Sequence, residues 1–194
     1  MKRHVFAISL IVLGLCLLGV NASAQIDKGF FRVNYFANNG VAGAPDATVR
    51  IDDPDTGDVG NLCAMIYVFD NDQQLSECCG CLVTPDGLRT LSVSHDLTSN
   101  PLTGVVSNNG VIKIVSANPE LPCNPAIEFP LQPTLREWAS HVENKVGTAY
   151  PITETEFSSA ALSEQEFLFN LVEQCSFAQR LGSGHAVCSC GTGD

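Results

Sequence analysis

Positive charge and aromatic side chains are both scarce in this sequence. Ten lysine and arginine residues stand against 21 aspartate and glutamate residues, the formal net charge is −11, and 7% of the residues are aromatic. Nucleic acids and anionic membranes are themselves polyanions, so this charge argues against either as a main partner. Carbohydrate-binding faces usually present exposed aromatic platforms, and the single tryptophan, Trp138, has the spacing of a core position.

The signature motifs of common enzymes are missing as well. The chain has no glycine-rich phosphate-binding loop, no H-E-x-x-H zinc motif and no dinucleotide fingerprint. Ser94-His95-Asp96 contains the three residue types of a hydrolase triad, but triad members normally converge from separate segments. Glu154 and Glu156 would share one face of a strand, as a glycosidase pair or as a solvated pair. We therefore predict that the protein is not an enzyme.

The first 24 residues have the pattern of an export signal. Lys2 and Arg3 give a positive start, residues 5–20 are almost wholly apolar, and Ala22-Ser23-Ala24 supplies small residues before Gln25. The apolar run is shorter than the roughly 20 residues of a spanning helix. We predict a cleaved signal peptide over residues 1–24, no membrane insertion of the mature chain, and a secreted, cell-surface or periplasmic location, most simply in a bacterium.

Cleavage changes the charge and the cysteine count. Loss of Lys2 and Arg3 takes the net charge from −11 to −13, and loss of Cys16 leaves eight of the nine cysteines. An even number of cysteines outside the cytoplasm indicates a disulfide framework. All eight are therefore predicted to form disulfides: Cys63, Cys78, Cys79, Cys81, Cys123, Cys175, Cys188 and Cys190.

Residues 25–117 carry the signals of strands, and no helical pattern precedes residue 117. Residues 62–69 are continuously apolar, as expected of a strand that is buried on both faces. Shorter runs at 30–36, 48–51, 88–93 and 111–115 are separated by turn residues rich in glycine, asparagine and proline. This pattern predicts a mainly β fold, an antiparallel, immunoglobulin-like β-sandwich.

The chain changes character after residue 117. Five prolines within residues 118–133 predict an extended linker. Residues 134–194 are expected to form a smaller helical, cysteine-rich segment. Capping patterns and apolar spacing predict helices at 134–146 and 163–180, with Phe167, Leu171 and Cys175 on one face of the second. At 134–146 the competing prediction is a strand that pairs with residues 150–157.

Spacing suggests some of the disulfide pairs. If residues 62–69 and 75–83 form a hairpin, Cys63 lies opposite Cys81 or Cys79. Cys175, late in a helix, is within reach of Cys188. The alternatives are a zinc site built from residues 78–81 and 188–190, although C-x-C spacing is shorter than zinc sites usually use, or a thiol-exchange site.

Residues 52–58 form an acidic turn. Asp52, Asp53, Asp55 and Asp58 place four carboxylates near Gly57, and calcium prefers several oxygen ligands from one loop. The run departs from the EF-hand pattern, and a solvated loop is the simpler interpretation. Apart from this calcium alternative, we predict no cofactor. The acidic turn at residues 70–72 offers the same two interpretations.

These patterns predict a secreted or cell-surface protein without catalytic activity. Its role would be structural, adhesive or interactive, through contact with a protein, a cell surface or a second copy of itself. The first alternative is an extracellular module that binds calcium or another ligand. The second alternative is a secreted hydrolase whose site assembles from distant residues.

Overall fold

The computed structural model describes residues 29–54, 60–99, 104–118, 122–133, 135–181 and 188–190. The signal peptide predicted at residues 1–24 lies outside them. Within the part of the chain that is described, no helix has both the length and the apolar character needed to cross a membrane.

The described residues form nine strands in two antiparallel sheets. The strands are β1 (Phe31–Phe36), β2 (Thr48–Asp52), β3 (Leu62–Asp70), β4 (Leu75–Val83), β5 (Leu88–Ser92), β6 (Gly110–Ala117), β7 (Arg136–Val142), β8 (Ile152–Glu156) and β9 (Ser158–Ser159). The first sheet has the order β4-β3-β6-β1-β9, and the second has the order β5-β2-β7-β8. The prediction of a mainly β chain with two sheets is confirmed.

Alternating apolar residues hold the two sheets together. Val49 and Ile51 of β2 and Ala139 of β7 point inward from the second sheet and meet Ile112 and Ile114 of β6 in one buried cluster. Successive side chains of a strand point to opposite faces, so every second residue contributes to this inner core. The two sheets therefore pack face to face around a shared core.

Strand β3 is buried on both faces, as its continuous apolar run predicts. Ala64, Ile66 and Val68 belong to the inner core, whereas Met65 and Tyr67 belong to a second cluster on the outer face of the first sheet. A strand with apolar side chains on both faces needs a cover on each side. The outer cover comes from later parts of the chain.

The predicted linker packs against that outer face. The hydroxyl of Tyr67 donates a hydrogen bond to the carbonyl of Pro125 at 2.9 Å, and Phe129 is buried in the outer cluster. The backbone N–H of Gln132 donates to the carbonyl of Ser116 at 2.9 Å. Burial raises the pKa of Tyr67 above its usual range. Residues 122–133 are thus part of the packed fold.

A C-terminal helix completes the cover, as predicted. It has π-helical geometry over Glu166–Val172 and continues as an α-helix over Glu173–Leu181. The Ser163 hydroxyl accepts the N–H of Glu166, as the capping pattern predicts. The Glu166 carboxylate accepts a hydrogen bond from Lys113 of β6 at 2.6 Å, which ties the start of the helix to the first sheet.

The helix predicted at 134–146 is wrong, and the competing strand is what the structure contains. Strand β7 pairs with β2 and with β8. Glu137, Ala139 and His141 point inward at a spacing of two residues, and all three are buried. Two of these inward residues are polar, so the alternation does not stand out in the sequence, whereas the apolar residues at 135, 138, 139 and 142 imitate helical spacing.

Both sheets combine strands from the early and late parts of the chain. Strands β7 and β8, from the segment expected to be helical, extend the second sheet, and β9 pairs with β1 at the edge of the first. The strands therefore do not follow the boundary placed at residue 117. A single π-helical turn at Val93–Leu97 also corrects the expectation that no helix precedes that point.

Candidate functional site

The exposed face of the C-terminal helix carries large apolar side chains. The opposite face, with Phe167 and Leu171, packs into the outer cluster and is fixed to β4 by the Cys78–Cys175 disulfide. Phe169, Phe177 and Leu181 are 58–59% exposed. Their spacing of eight and four residues places them on one side of the helix.

This face forms one wall of a groove. The other walls come from the turn between β3 and β4, the start of β4 and residues 105–107. The cavity measures about 880 Å³, and its lining combines apolar side chains with polar and charged groups. The polar and charged lining residues are Asp70, Gln73, Gln74, Ser76, Ser107, Glu173, Gln174 and Arg180.

Hydrogen bonds within the β3–β4 turn fix the conformation of that wall of the groove. The Asp70 carboxylate accepts the N–H groups of Asp72 and Gln74, both at 2.9 Å, and Gln73 adopts a positive φ of 64°. A carboxylate that accepts backbone N–H groups two and four residues later fixes a tight turn. This use of Asp70 supports the structural interpretation of the acidic turn at 70–72.

A second unusual feature is a polar cluster between the two sheets, on the side of β1 and β8. Glu137 is 1% exposed, and its carboxylate lies 3.3 Å from the Nε of Arg32. Burial raises the pKa of Glu137 to about 7, the Arg32 charge lowers it in part, and the Glu156 charge raises it. The site thus holds a carboxyl group that titrates near neutrality.

His141 lies on the same strand as Glu137 and is also buried. Its Nε2 atom is 2.6 Å from the Thr155 hydroxyl, which also accepts a hydrogen bond from Asn34 at 3.3 Å. The ring of Tyr35 stacks on the imidazole with 4.1 Å between centroids. Burial lowers the pKa of His141 below its usual value. The imidazole is therefore enclosed between the two sheets.

This polar cluster links the two sheets. Glu137 and His141 are each 1% exposed, so a substrate has no direct access to either group in this conformation. Their hydrogen bonds and ion pair join β1 to β7 and β8. The groove, by contrast, opens to solvent and is the candidate functional site.

The structure pairs all eight predicted cysteines, and the partners differ from those suggested by spacing. The disulfides are Cys63–Cys123, Cys78–Cys175, Cys79–Cys188 and Cys81–Cys190. In the hairpin, Cys63 lies opposite Leu82, and Ala64 lies opposite Cys81. Cys63 therefore faces the outer side of the sheet, where it bonds to Cys123 and not to Cys79 or Cys81. Cys188 bonds to Cys79 and not to Cys175.

Strand geometry also separates Cys78 from Cys81, although they are spaced as C-x-x-C. Cys78 points to the outer cluster, whereas Cys79 and Cys81 point to the inner core. Gly80 faces the outer side, where a Cβ atom would lie 2.8 Å from the Cys123 sulfur. Glycine at this position lets the 122–133 segment approach the strand closely.

The calcium prediction stays a prediction. Asp52 ends β2, and Asp53 follows it with 2% of its surface exposed and its backbone N–H bonded to the carbonyl of Gly87. Asp55 and Asp58 lie outside the described residues. Of the four predicted calcium ligands, the structure thus describes only Asp52 and Asp53.

The hydrolase candidates occupy structural positions. The Asp96 carboxylate accepts the N–H of Ser92 at 2.7 Å, and the Ser92 hydroxyl accepts the N–H of His95, which fixes the π-helical turn. Glu154 pairs with Arg50 on the outer face of the second sheet. The structure does not gather these groups into one cleft.

Sequence reasoning missed the residues that line the groove. It singled out the helix face with Phe167, Leu171 and Cys175, which is the buried one. The signal for the other face was present, since Phe169, Phe177 and Leu181 repeat at helical spacing on the opposite side. The position of Arg32 and Asn34 inside the sandwich has no comparable signal. No protein-family model, curated protein or solved structure matches this chain.

Proposed function

We propose that this chain is an exported, non-catalytic binding protein whose partner docks in the groove beside the C-terminal helix. The single observation that carries the proposal is the cluster of exposed apolar side chains in that groove. Isolated apolar residues are common on protein surfaces, but a concave group of them with a polar rim is typical of interaction sites. Phe169, Phe177 and Leu181 belong to one such group.

The rigid surroundings support recognition by this surface. The helix is fixed to β4 by the Cys78–Cys175 disulfide and to β6 by the Lys113–Glu166 ion pair. A preorganised surface loses less conformational entropy when a partner binds.

The negative charge of the chain supports a basic partner. Asp70, Glu173 and Arg180 line the groove, and the chain without Lys2 and Arg3 of the predicted signal peptide changes from a net charge of −11 to −13. A second copy of the chain would bring the same negative charge to the groove, which opposes self-association. A basic, amphipathic segment of another polypeptide would complement both the apolar side chains of the groove and the negative charge of the chain. We assign the groove to such a segment.

Export and oxidation belong to the same proposal. The positive start, apolar run and small residues of the first 24 residues support export, and four disulfides among the described residues suit an oxidising compartment. The immunoglobulin-like class of the sandwich remains part of the proposal. The function follows from the groove and not from the class of fold.

Calorimetry with a synthetic amphipathic helical peptide tests the proposal. Its leucines lie three or four residues apart on one face, and its lysines cover the other face. The oxidised protein should bind it, and Phe177→Ser should weaken binding at least tenfold. Glu173→Lys should weaken binding as well, with a smaller dependence on salt. Ile152→Ser is the matched control, since Ile152 is 55% exposed on β8, outside the groove.

Two results would refute this assignment. Equal affinity of the wild type, Phe177→Ser and Ile152→Ser would show that the peptide does not use the groove. Concentration-dependent dimers in sedimentation velocity that Phe177→Ser abolishes would assign the groove to a second copy.

A further inference from the structure

Two disulfides lie side by side between β4 and the segment 188–190. Cys79 and Cys81 are two residues apart on one face of β4, and Cys188 and Cys190 repeat that spacing opposite them. The sulfur atoms of Cys79, Cys81 and Cys190 all lie within 4.8 Å of one another, and the Cys188 sulfur is bonded to that of Cys79. Four sulfur atoms therefore share one location.

We propose that the reduced form of this four-cysteine cluster binds one zinc ion through four thiolates. A tetrahedral zinc–thiolate site has Zn–S bonds of about 2.3 Å, which places its sulfur atoms about 3.8 Å apart. Each bonded pair then opens from about 2 Å to about 3.8 Å, a movement of about 1 Å for each sulfur. The sulfur atoms of Cys79, Cys81 and Cys190 already lie within 4.8 Å of one another, and the Cys188 sulfur joins them by moving inward when its bond to Cys79 opens.

Strand periodicity explains how C-x-C spacing supplies such a site. Residues two apart on a strand point to the same face, so Cys79 and Cys81 both project toward the segment 188–190. The N–H of Cys188 donates to the carbonyl of Cys78 at 3.2 Å, which holds the two segments side by side. Each segment thus contributes two ligands, as in sites built from longer C-x₂-C loops.

The cluster is accessible from one side. Cys79 and Cys81 are buried, but Cys190 is half-buried, and it lines a cavity of about 350 Å³ together with Cys188 and Pro122. A thiolate of an external dithiol, either a small molecule or a thiol–disulfide oxidoreductase, reaches the Cys190 sulfur through this opening. Its attack forms a mixed disulfide with Cys190 and releases the Cys81 thiolate.

The chemistry balances with two equivalents of the dithiol. The second thiol of each dithiol attacks the mixed disulfide, so each equivalent transfers two electrons and leaves as a cyclic disulfide. Four cysteine thiols result. One Zn²⁺ then displaces their four protons and forms a complex with a charge of −2. The two disulfides and the zinc complex use the same four sulfur atoms, so metal binding and the disulfides exclude each other.

The test uses the mature chain with Co²⁺ and Zn²⁺ as probes, before and after anaerobic treatment with a dithiol. The reduced wild type should bind one Co²⁺ with the visible absorption of a tetrahedral four-thiolate site, and Zn²⁺ should displace it. The oxidised protein should bind none there. Cys81→Ser with Cys190→Ser should reduce affinity at least tenfold.

Cys63→Ser with Cys123→Ser is the matched control, because it also removes two cysteines but leaves the four-cysteine cluster intact. It should bind the ion like the wild type. Equal loss in both double variants would show that unfolded thiols bind the metal, and it would overturn the proposal.

A measurement on the reduced wild type needs no variant. Zinc should protect Cys79, Cys81, Cys188 and Cys190 from alkylation and leave the other four cysteines reactive, as mapped by mass spectrometry. Protection of a different set would also overturn the proposal.

Discussion

The Nε atom of Arg32 lies 3.3 Å from the carboxylate of Glu137 in the space between the two sheets. The Arg32 side chain also donates hydrogen bonds to the backbone carbonyl groups of Gly29 and Phe157. Three segments of the chain therefore hold the guanidinium group in place. A buried carboxylate is costly in its charged form, and a nearby positive charge offsets part of that cost. Burial outweighs the charge here, and the pKa of Glu137 is raised to about 7.

This raised pKa predicts a loss of stability as the pH increases. The folded state holds the proton of Glu137 more firmly than the unfolded state, whose pKa is near 4.5. The contribution is therefore complete below about pH 4.5 and is lost as the pH rises through about 7. Relative to wild type, Glu137→Gln should gain on the order of 3 kcal/mol in unfolding free energy over that range.

Urea unfolding at a series of pH values measures this difference. Glu128→Gln is the matched control, because Glu128 is exposed, and it should keep the pH dependence of the wild type. A constant difference between Glu137→Gln and wild type at every pH would show that Glu137 does not titrate differently in the two states.

His141 should lower the free energy of unfolding as the pH decreases, whereas Glu137 lowers it as the pH increases. Burial lowers its pKa below the ordinary value of 6.5, so the stabilising contribution is present above pH 6.5 and is lost as the pH falls through the folded-state pKa. His141→Gln should remove this loss, since an amide can still bond to Thr155. Melting temperatures between pH 4 and pH 7 test this, and His95→Gln, at an exposed position, should behave like wild type.

The parts of the fold with a strong local pattern were predictable from the sequence. Strand β3 is apolar throughout because both of its faces are covered, and the C-terminal helix has a cap and a continuous apolar stripe. Strand β7 instead carries a capping pattern and apolar residues at helical spacing, which predict the wrong element. Its inward residues include Glu137 and His141, whose polar groups contact Arg32 of β1 and Thr155 of β8. Tertiary contacts thus decide its structure.

The cysteine partners depend on register, which the sequence determines only weakly. Strand pairing shifts between Val68 and Phe69, so positions opposite each other differ from those of a regular hairpin. A shift of one residue moves a side chain to the other face of the sheet. Cys63 therefore faces the segment 122–133, whose path over the sheet has no local signal.

The oxidation state and the mature N-terminus are testable in one measurement. We expect protein recovered from an exporting host to begin at Gln25 and to take up no alkylating reagent without reduction, because four disulfides use all eight cysteines of the mature chain. Intact mass before and after alkylation reports both properties. An added mass without reduction would reveal a free thiol, and a retained leader would contradict cleavage.

Close packing at Gly80 gives a prediction for the outer face. A Cβ atom at this position would lie 2.8 Å from the Cys123 sulfur and inside the contact distance of the Cys123 carbonyl oxygen. A backbone atom cannot move aside as the end of a flexible side chain does, so Gly80→Ala should push the segment 122–133 away from β4. Overpacking of this kind typically costs about 1–3 kcal/mol.

Thermal unfolding of the oxidised variant should show a lower melting temperature, and proteases should cut residues 122–133 faster than in wild type. An unchanged melting temperature together with unchanged proteolysis would mean that the segment does not pack against Gly80.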